Sequence, residues 1–225
     1  MNLGTIKTFM GRLLSDTRST RWTAAIKLDA INRAQDRFVL DTRCLKDVKL
    51  DSAVADTYEY DLPTDILHIE RVVHKGLELI RKSKNYIDSQ SSSDWSDDIG
   101  TPKYYYADLD PDNKYIRVYP IPQAGDAGAN NIEIDYIKDP ADLSADSDTP
   151  LNSHSLLAIY HPAIAYKAAY ELLGMSVSAQ NIEKMNRFDY EYNKLVDHCI
   201  NTWKDNEEST PLRMAGGRYH HGVMR

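Results

Sequence analysis

Leu3, Ile6, Phe9, Met10, Leu13 and Leu14 recur at the spacing of one helix face, and Ser15-Asp-Thr-Arg-Ser-Thr20 then breaks the pattern with turn-favouring residues. A short first helix should therefore end near Leu14. Thr23 is placed to cap a second helix, whose apolar stripe of Ile26, Ala30, Ile31, Ala34 and Phe38 carries it to an end near Leu40. From Val48 to Tyr136 the period drops to two. Val48 and Leu50, then Tyr58, Tyr60 and Leu62, then Ile116 and Val118, then Ile132, Ile134 and Tyr136 alternate with polar residues as half-buried strands do. Val72 to Ile80 predicts a hairpin turning at Lys75-Gly76, because glycine adopts the positive φ that such turns need.

After Pro150 the helical period returns. Leu156 to Leu173 is apolar nearly all round and rich in alanine, which predicts a buried central helix that Pro162 starts or kinks and Gly174 stops. A last helix carries the seam Ile182, Met185, Asp189, Tyr192, Val196, Cys199 and Trp203, suited to packing along another helix. Two polar stretches read as surface loops: Ser89 to Asp98, anchored by Trp95, and Gln123 to Asn131, small and flexible. Beyond Trp203 nothing can be buried, so the end is expected to order only when something holds it. The pattern thus predicts an α+β chain that is mainly a helical bundle with an inserted small antiparallel β domain and an extended C-terminal tail. The bundle takes residues 1–45 and 146–205, the β domain 46–145 and the tail 206–225.

Composition narrows the classes. At 225 residues and 42% hydrophobic the chain can bury a core, and it has neither a long apolar run nor a signal-peptide layout, so no membrane partner is expected. Cys44 and Cys199 stand far apart and form no C-x-x-C pair, which predicts reduced, small core residues. The net charge of -7 argues against gripping nucleic acid by its phosphates. Arg213, Arg218 and Arg225 are the only charges from Ser209 onward, and this +3 leaves -10 for residues 1–208. The tail is electrostatically a separate object.

Catalytic signatures are weak. Asp108 to Lys114 imitates the start of a calcium loop, but Asn113 replaces the glycine and Tyr119 the closing glutamate, so a Pro-Asp-Asn turn between strands is the better reading. His68, His74, His154, His161 and His198 have no metal-ligand spacing, and His220-His221 would be two ligands on a loose end. Nucleophile elbows and phosphate-binding glycine loops are missing, so no cofactor is expected. A glycosidase pair needs only two acids that are neighbours in space, which leaves a hydrolase open. A small ligand- or DNA-binding module is a third possibility.

Tyrosine concentrates in the middle: nine of the fifteen lie between Tyr58 and Tyr136, a composition that suits surfaces packed against other proteins. There the order Tyr60-Asp-Leu-Pro-Thr-Asp65 to Val72, Gly100-Thr-Pro-Lys-Tyr-Tyr-Tyr106, Ile116-Arg-Val-Tyr-Pro-Ile-Pro122 and Ile132-Glu-Ile-Asp-Tyr-Ile-Lys-Asp-Pro140 resembles the head-to-tail adaptors of tailed bacteriophages. Arg21-Trp-Thr-Ala-Ala to Gln35 resembles the same family's first long helix, and the likeness runs from about Leu3 to Trp203.

The resemblance implies a non-enzymatic virion protein at the head–tail junction, made in the host cytoplasm. It implies a ring, twelve-fold by family analogy, whose wall of helical bundles joins the portal to a tail tube, nozzle or fibre protein while double-stranded DNA passes without sequence-specific binding. On that reading the tail docks into the portal through Arg213, Met214, Arg218, Tyr219, His220, His221 and Arg225, since arginine, tyrosine and methionine on glycine joints suit ion pairs, stacking and pocket insertion. Trp95, Tyr104, Tyr105 and Tyr106 would face subunit neighbours or tail components. Relatives credited with peptidoglycan hydrolysis make a virion-associated hydrolase the alternative, beside another tail-completion role.

Overall fold

The computed structural model describes residues 1–89, 98–110, 113–175 and 178–209, with backbone alone at 113, 153 and 203–209. The helices are α1 (Leu3–Leu13), α2 (Ala24–Thr42), α3 (Lys84–Asp88), α4 (His161–Gly174) and α5 (Ala179–Ser209). Asn2 caps α1 and the Thr23 hydroxyl caps α2 by accepting the Ile26 N–H, so the first two helices begin where their side-chain chemistry allows. Arg43 closes α2 in the left-handed conformation, its N–H on the Val39 carbonyl.

Between α1 and α2 the chain winds around a buried carboxylate. Asp16 accepts the Thr20 N–H at 2.8 Å, the Thr20 hydroxyl at 3.0 Å and the Trp22 N–H at 3.1 Å. Lys27, equally buried, spends all three ammonium donors here: on the Asp16 carbonyl at 2.8 Å, on Ser19 Oγ at 3.0 Å and on the Asp16 carboxylate at 3.1 Å. Burial pushes the Asp16 pKa up, but the bonds from Lys27 and from the Trp22, Arg21 and Thr20 donors outweigh it and hold the carboxyl well below the usual range.

The expected central helix divides in two. Ser155–Tyr160 is a 3-10 segment, and α4 starts at His161 with Pro162 in its first turn, where a missing N–H costs nothing. Gly174 is the last residue of α4, which ends where the glycine was expected to stop it, and the cap at Met175 is right-handed. Ala163, Ala165, Ala168 and Ala169 are fully buried and let α4 pack closely against α1, α2 and α5. Of the α5 seam, Tyr192, Val196 and Cys199 are buried, whereas Ile182 at its start is exposed. Cys44 and Cys199 are both buried in this core as free thiols and interact with each other, a proximity that their separation in sequence hides.

The strands are β1 (Lys46–Ala53), β2 (Glu59–Asp61), β3 (Ile66–His74), β4 (Leu77–Glu78), β5 (Ile80–Arg81), β6 (Ile99–Gly100), β7 (Tyr104–Asp110), β8 (Asn113–Tyr119), β9 (Ile121–Pro122) and β10 (Gly128–Lys138). They form a sheet of order β1-β10-β3-β4, a second of order β2-β8-β7-β5, and the pair β6-β9. The two larger sheets stack as a sandwich. Ile69, Val72, Ile132, Ile134 and Tyr136 of the first meet Tyr60, Tyr105, Ile116 and Val118 of the second in one apolar cluster. Lys75 and Gly76 turn the β3-β4 hairpin with φ of 50° and 79°.

Among the described residues strands form three sheets beside the helices, so the protein is α+β and is not a mainly helical bundle. The excess strand comes from pairings that no local period announces. β4, β5, β6 and β9 are two residues each, and β5-β7 and β6-β9 pair in parallel, so the sheets are also not purely antiparallel. The supposed flexible loop at Gln123 to Asn131 is overturned in the same way. Gly128 to Asn131 belong to β10, and Asp126 is buried, held by Lys75 Nζ at 3.1 Å and Thr101 Oγ1 at 3.0 Å. β10 ends in the other core: its Ile137 packs with Leu45, Leu143 and the helices. Among the described residues no helix is long and apolar enough to cross a membrane.

Candidate partner-binding surfaces

Strand alternation sorts the tyrosine run. Tyr105 points into the sandwich and is buried there, while Tyr104 and Tyr106 take the other side of the sheet, opposite Tyr119 and Arg117 of β8, where Tyr106 and Tyr119 are themselves buried against Ile87 of α3. On this outer face Tyr104 stacks on Tyr119 with centroids 6.5 Å apart, and Tyr86 of α3 meets Tyr104 edge-on at 5.7 Å. Lys82 Nζ lies 4.5 Å from the Tyr86 ring centroid and 5.9 Å from that of Tyr104. Arg117 sits among Tyr58, Tyr106 and Tyr115 and donates to Glu59 at 2.7 Å and to the Tyr106 hydroxyl at 2.6 Å. Tyr119 donates to Asp98 at 2.7 Å; that bond, with burial, pushes its pKa up to about 12 and keeps the phenol protonated. Beside the ladder Arg81, Lys82, Ser83, Lys84, Tyr86, Tyr106, Ala107 and Asp108 line an open hollow of about 660 Å³.

The opposite face of the sandwich has an inverted strand. β1 turns Asp47, Lys49 and Asp51 toward the inner side and Val48 and Leu50 toward solvent, 51% and 53% exposed. They were expected on the covered side of a half-buried strand. The inversion is possible because the charged side chains find partners at the rim: Asp47 bonds Lys138, and Lys49 bonds Asp51 and the Asp61 carbonyl. Across the outer face Val48 is followed by Asp135 and Arg71, and Leu50 by Glu133, Val73 and Glu78. Arg71 bridges Asp135 and Glu133, yet Asp135 Oδ1 is buried with no hydrogen-bond partner.

A third feature lies where sandwich meets helices. Asp36, Asp65, Lys138, Asp139, Pro140, Ala141, Asp142 and Asn152 line a hollow of about 610 Å³. Burial, then the charges of Asp139 and Asp142, raise the Asp36 pKa to about 6. Since the unfolded carboxyl titrates near 4, the native state binds more protons between those values, and stability falls as pH rises from about 4 to about 6. Asp36→Asn is therefore expected to stabilise the protein by about 1 kcal/mol at pH 7.5, allowing for solvent screening, and to change little at pH 4. Urea midpoints at the two pH values check this.

Trp95 and the tail residues Arg213, Met214, Arg218, Tyr219, His220, His221 and Arg225 lie outside the described residues. Arg117, Lys82 and Glu59 were missed in the sequence, although Tyr115, Arg117 and Tyr119 alternate on one strand as Tyr104 and Tyr106 do on its partner. Among the described residues no group of three His, Cys, Asp or Glu side chains is set to hold a metal. The family model described as SU10 adaptor protein matches residues 1–215. A search of curated proteins returns no match.

Proposed function

Because the chain belongs to the SU10 adaptor protein family, whose members are structural phage proteins at the head–tail junction, we propose that it joins the portal to the tail as a ring of twelve copies and continues the DNA channel. The match over residues 1–215 carries this reading. The basic tail beyond α5 reaches into the portal and orders there, and many identical contacts made at once give avidity without a large interface per copy. The acidic body repels DNA phosphates, so the genome slides through instead of sticking. The tyrosine ladder faces a neighbouring subunit or a tail component.

Native mass and negative-stain images, taken of the protein alone and with the portal protein of the same phage, test this. The expected result is a stoichiometric ring on the portal. A chain lacking residues 210–225 should keep its fold and fail to join. If the full chain ignores the portal, the adaptor mechanism is wrong; if the truncated chain joins as well as the full one, docking by the tail is wrong.

One observation favours a second reading, a virion-associated peptidoglycan hydrolase: Asp36, with its raised pKa, has the character of a general acid beside Asp139 and Asp142. Clearing of a peptidoglycan suspension by the purified protein, abolished in Asp36→Asn, would support it.

A further inference from the structure

The sandwich presents two outward patches of opposite character. On the β1-β10-β3-β4 sheet, Val48 and Leu50 stand exposed beside Glu133, Asp135 and Glu78; the cations of that face are Arg71, which bridges Glu133 and Asp135, and Lys46, which pairs with Glu70. On the β2-β8-β7-β5 sheet, Ile80, 57% exposed, stands beside Tyr104, with Lys82, Lys84 and Arg81 around the hollow at that edge. Asp108 lines the same hollow but lies on the far side of Tyr106 along β7.

The chain path fixes how these patches are related. β1 and β5 are edge strands of different sheets. β1 leads into β2, so those two edges share one side of the sandwich; β4 leads through Leu79 into β5, so those share the other. The exposed pair Val48–Leu50 and the exposed Ile80 therefore occupy opposite faces and opposite edges, with the acidic residues running from β10 to β4 across the first face. Neither is complementary to itself, since each carries mainly one sign of charge, and a two-fold contact would set like charges together. Each is complementary to the other. Two surfaces that differ and point apart are what a head-to-tail contact requires, and such contacts form a ring where the rotation from copy to copy closes.

We propose that neighbouring copies join head to tail through the sandwich, the Val48–Leu50 patch of one copy seating on the Ile80–Tyr104–Lys82 patch of the next. The proposal rests on the ring reading above. It explains why β1 turns its apolar side chains outward, since a neighbour covers them, and it sets lysines of that neighbour against the carboxylate-rich face of Glu133 and Glu78. The open backbone edge of β1 lies in the same contact, where lysines of the neighbour also discourage unlimited strand pairing.

Charge reversal tests it. One variant carries Leu50→Lys with Glu78→Lys, the other Lys82→Glu with Lys84→Glu, at three exposed positions and the half-buried Lys82; melting curves close to that of the parent show that both fold. Each variant alone is expected to lose ring formation on the portal at least tenfold by native mass. An equimolar mixture should restore rings in which the two variants alternate. Rings from either variant alone, or no rescue on mixing, would overturn the proposal while leaving the parent ring intact. A parent that forms no ring overturns this proposal and the ring reading together. As an independent check, Leu50→Cys and Lys84→Cys are treated with a bifunctional maleimide, the native cysteines being buried. Cross-links between the two variants support the contact, and dimers from Leu50→Cys alone mean a two-fold interface and overturn it.

Discussion

Lys27→Met should lower the melting temperature by about 10 °C, the scale for removing one partner of a buried ion pair in a chain of this size. Methionine fills much of the lysine's volume but donates nothing. The Asp16 carboxylate then stays buried with the Trp22, Arg21 and Thr20 bonds alone, and both Ser19 Oγ and the Asp16 carbonyl lose a donor. The loop that sets α1 against α2 is thereby loosened, which reaches the α1-α4 packing as well. The parent also has a signature in pH. Because the folded Asp16 pKa is depressed, its contribution is fully present above the ordinary carboxylate range and is lost as pH falls through the folded value. Thermal melts of parent and variant at neutral pH decide the matter, and a fall of under 3 °C would show that the ion pair is replaceable.

Phe38→Ala is expected to cost about 4 kcal/mol, near the upper range for a large buried side chain. Phe38 is fully buried on α2 and packs on two aromatic rings, Tyr160 at 6.1 Å just before α4 and Tyr192 at 6.4 Å on α5. The cavity would be shared by three helices, each pinned elsewhere by its own contacts, so collapse into it is limited. Urea unfolding with an unchanged slope and a lower midpoint would report this. Phe38→Leu, which keeps most of the volume, should recover more than half of the loss.

Much of the fold was legible wherever the signal is local. Thr23 caps because its hydroxyl precedes an apolar stripe; Lys75-Gly76 turns because glycine tolerates positive φ; Pro162 starts α4 because it lacks an N–H. The failures share one cause, a partner distant in sequence. β5 and β6 are too short to show a period and exist only through β7 and β9. β1 shows its alternation plainly, but which side faces inward is decided by Lys138 and the Asp61 carbonyl, and no spacing within β1 reveals either. Cys44 and Cys199 meet because α5 crosses the core, and Asp16 finds Lys27 a full turn into the next helix. The tyrosine surface was half legible: grouping Tyr104, Tyr105 and Tyr106 ignored the pleat that sends the middle ring inward. The family likeness drew on turn and strand-edge residues, which is why it named the class of protein before the sheets could be drawn.

β10 has one further consequence. It is hydrogen-bonded along both sides, to β1 and to β3, with its middle in the sandwich core and its last apolar residue in the helical core. Its central N–H groups point alternately to β1 and to β3, so all of them open to deuterated solvent only when both neighbours let go, and release of either core removes packing from the same strand. The amides of Ile132 to Ile137 should thus be the slowest in the chain to exchange, all at one common rate set by global opening, so that neither half of the protein can be shed while the other stays whole.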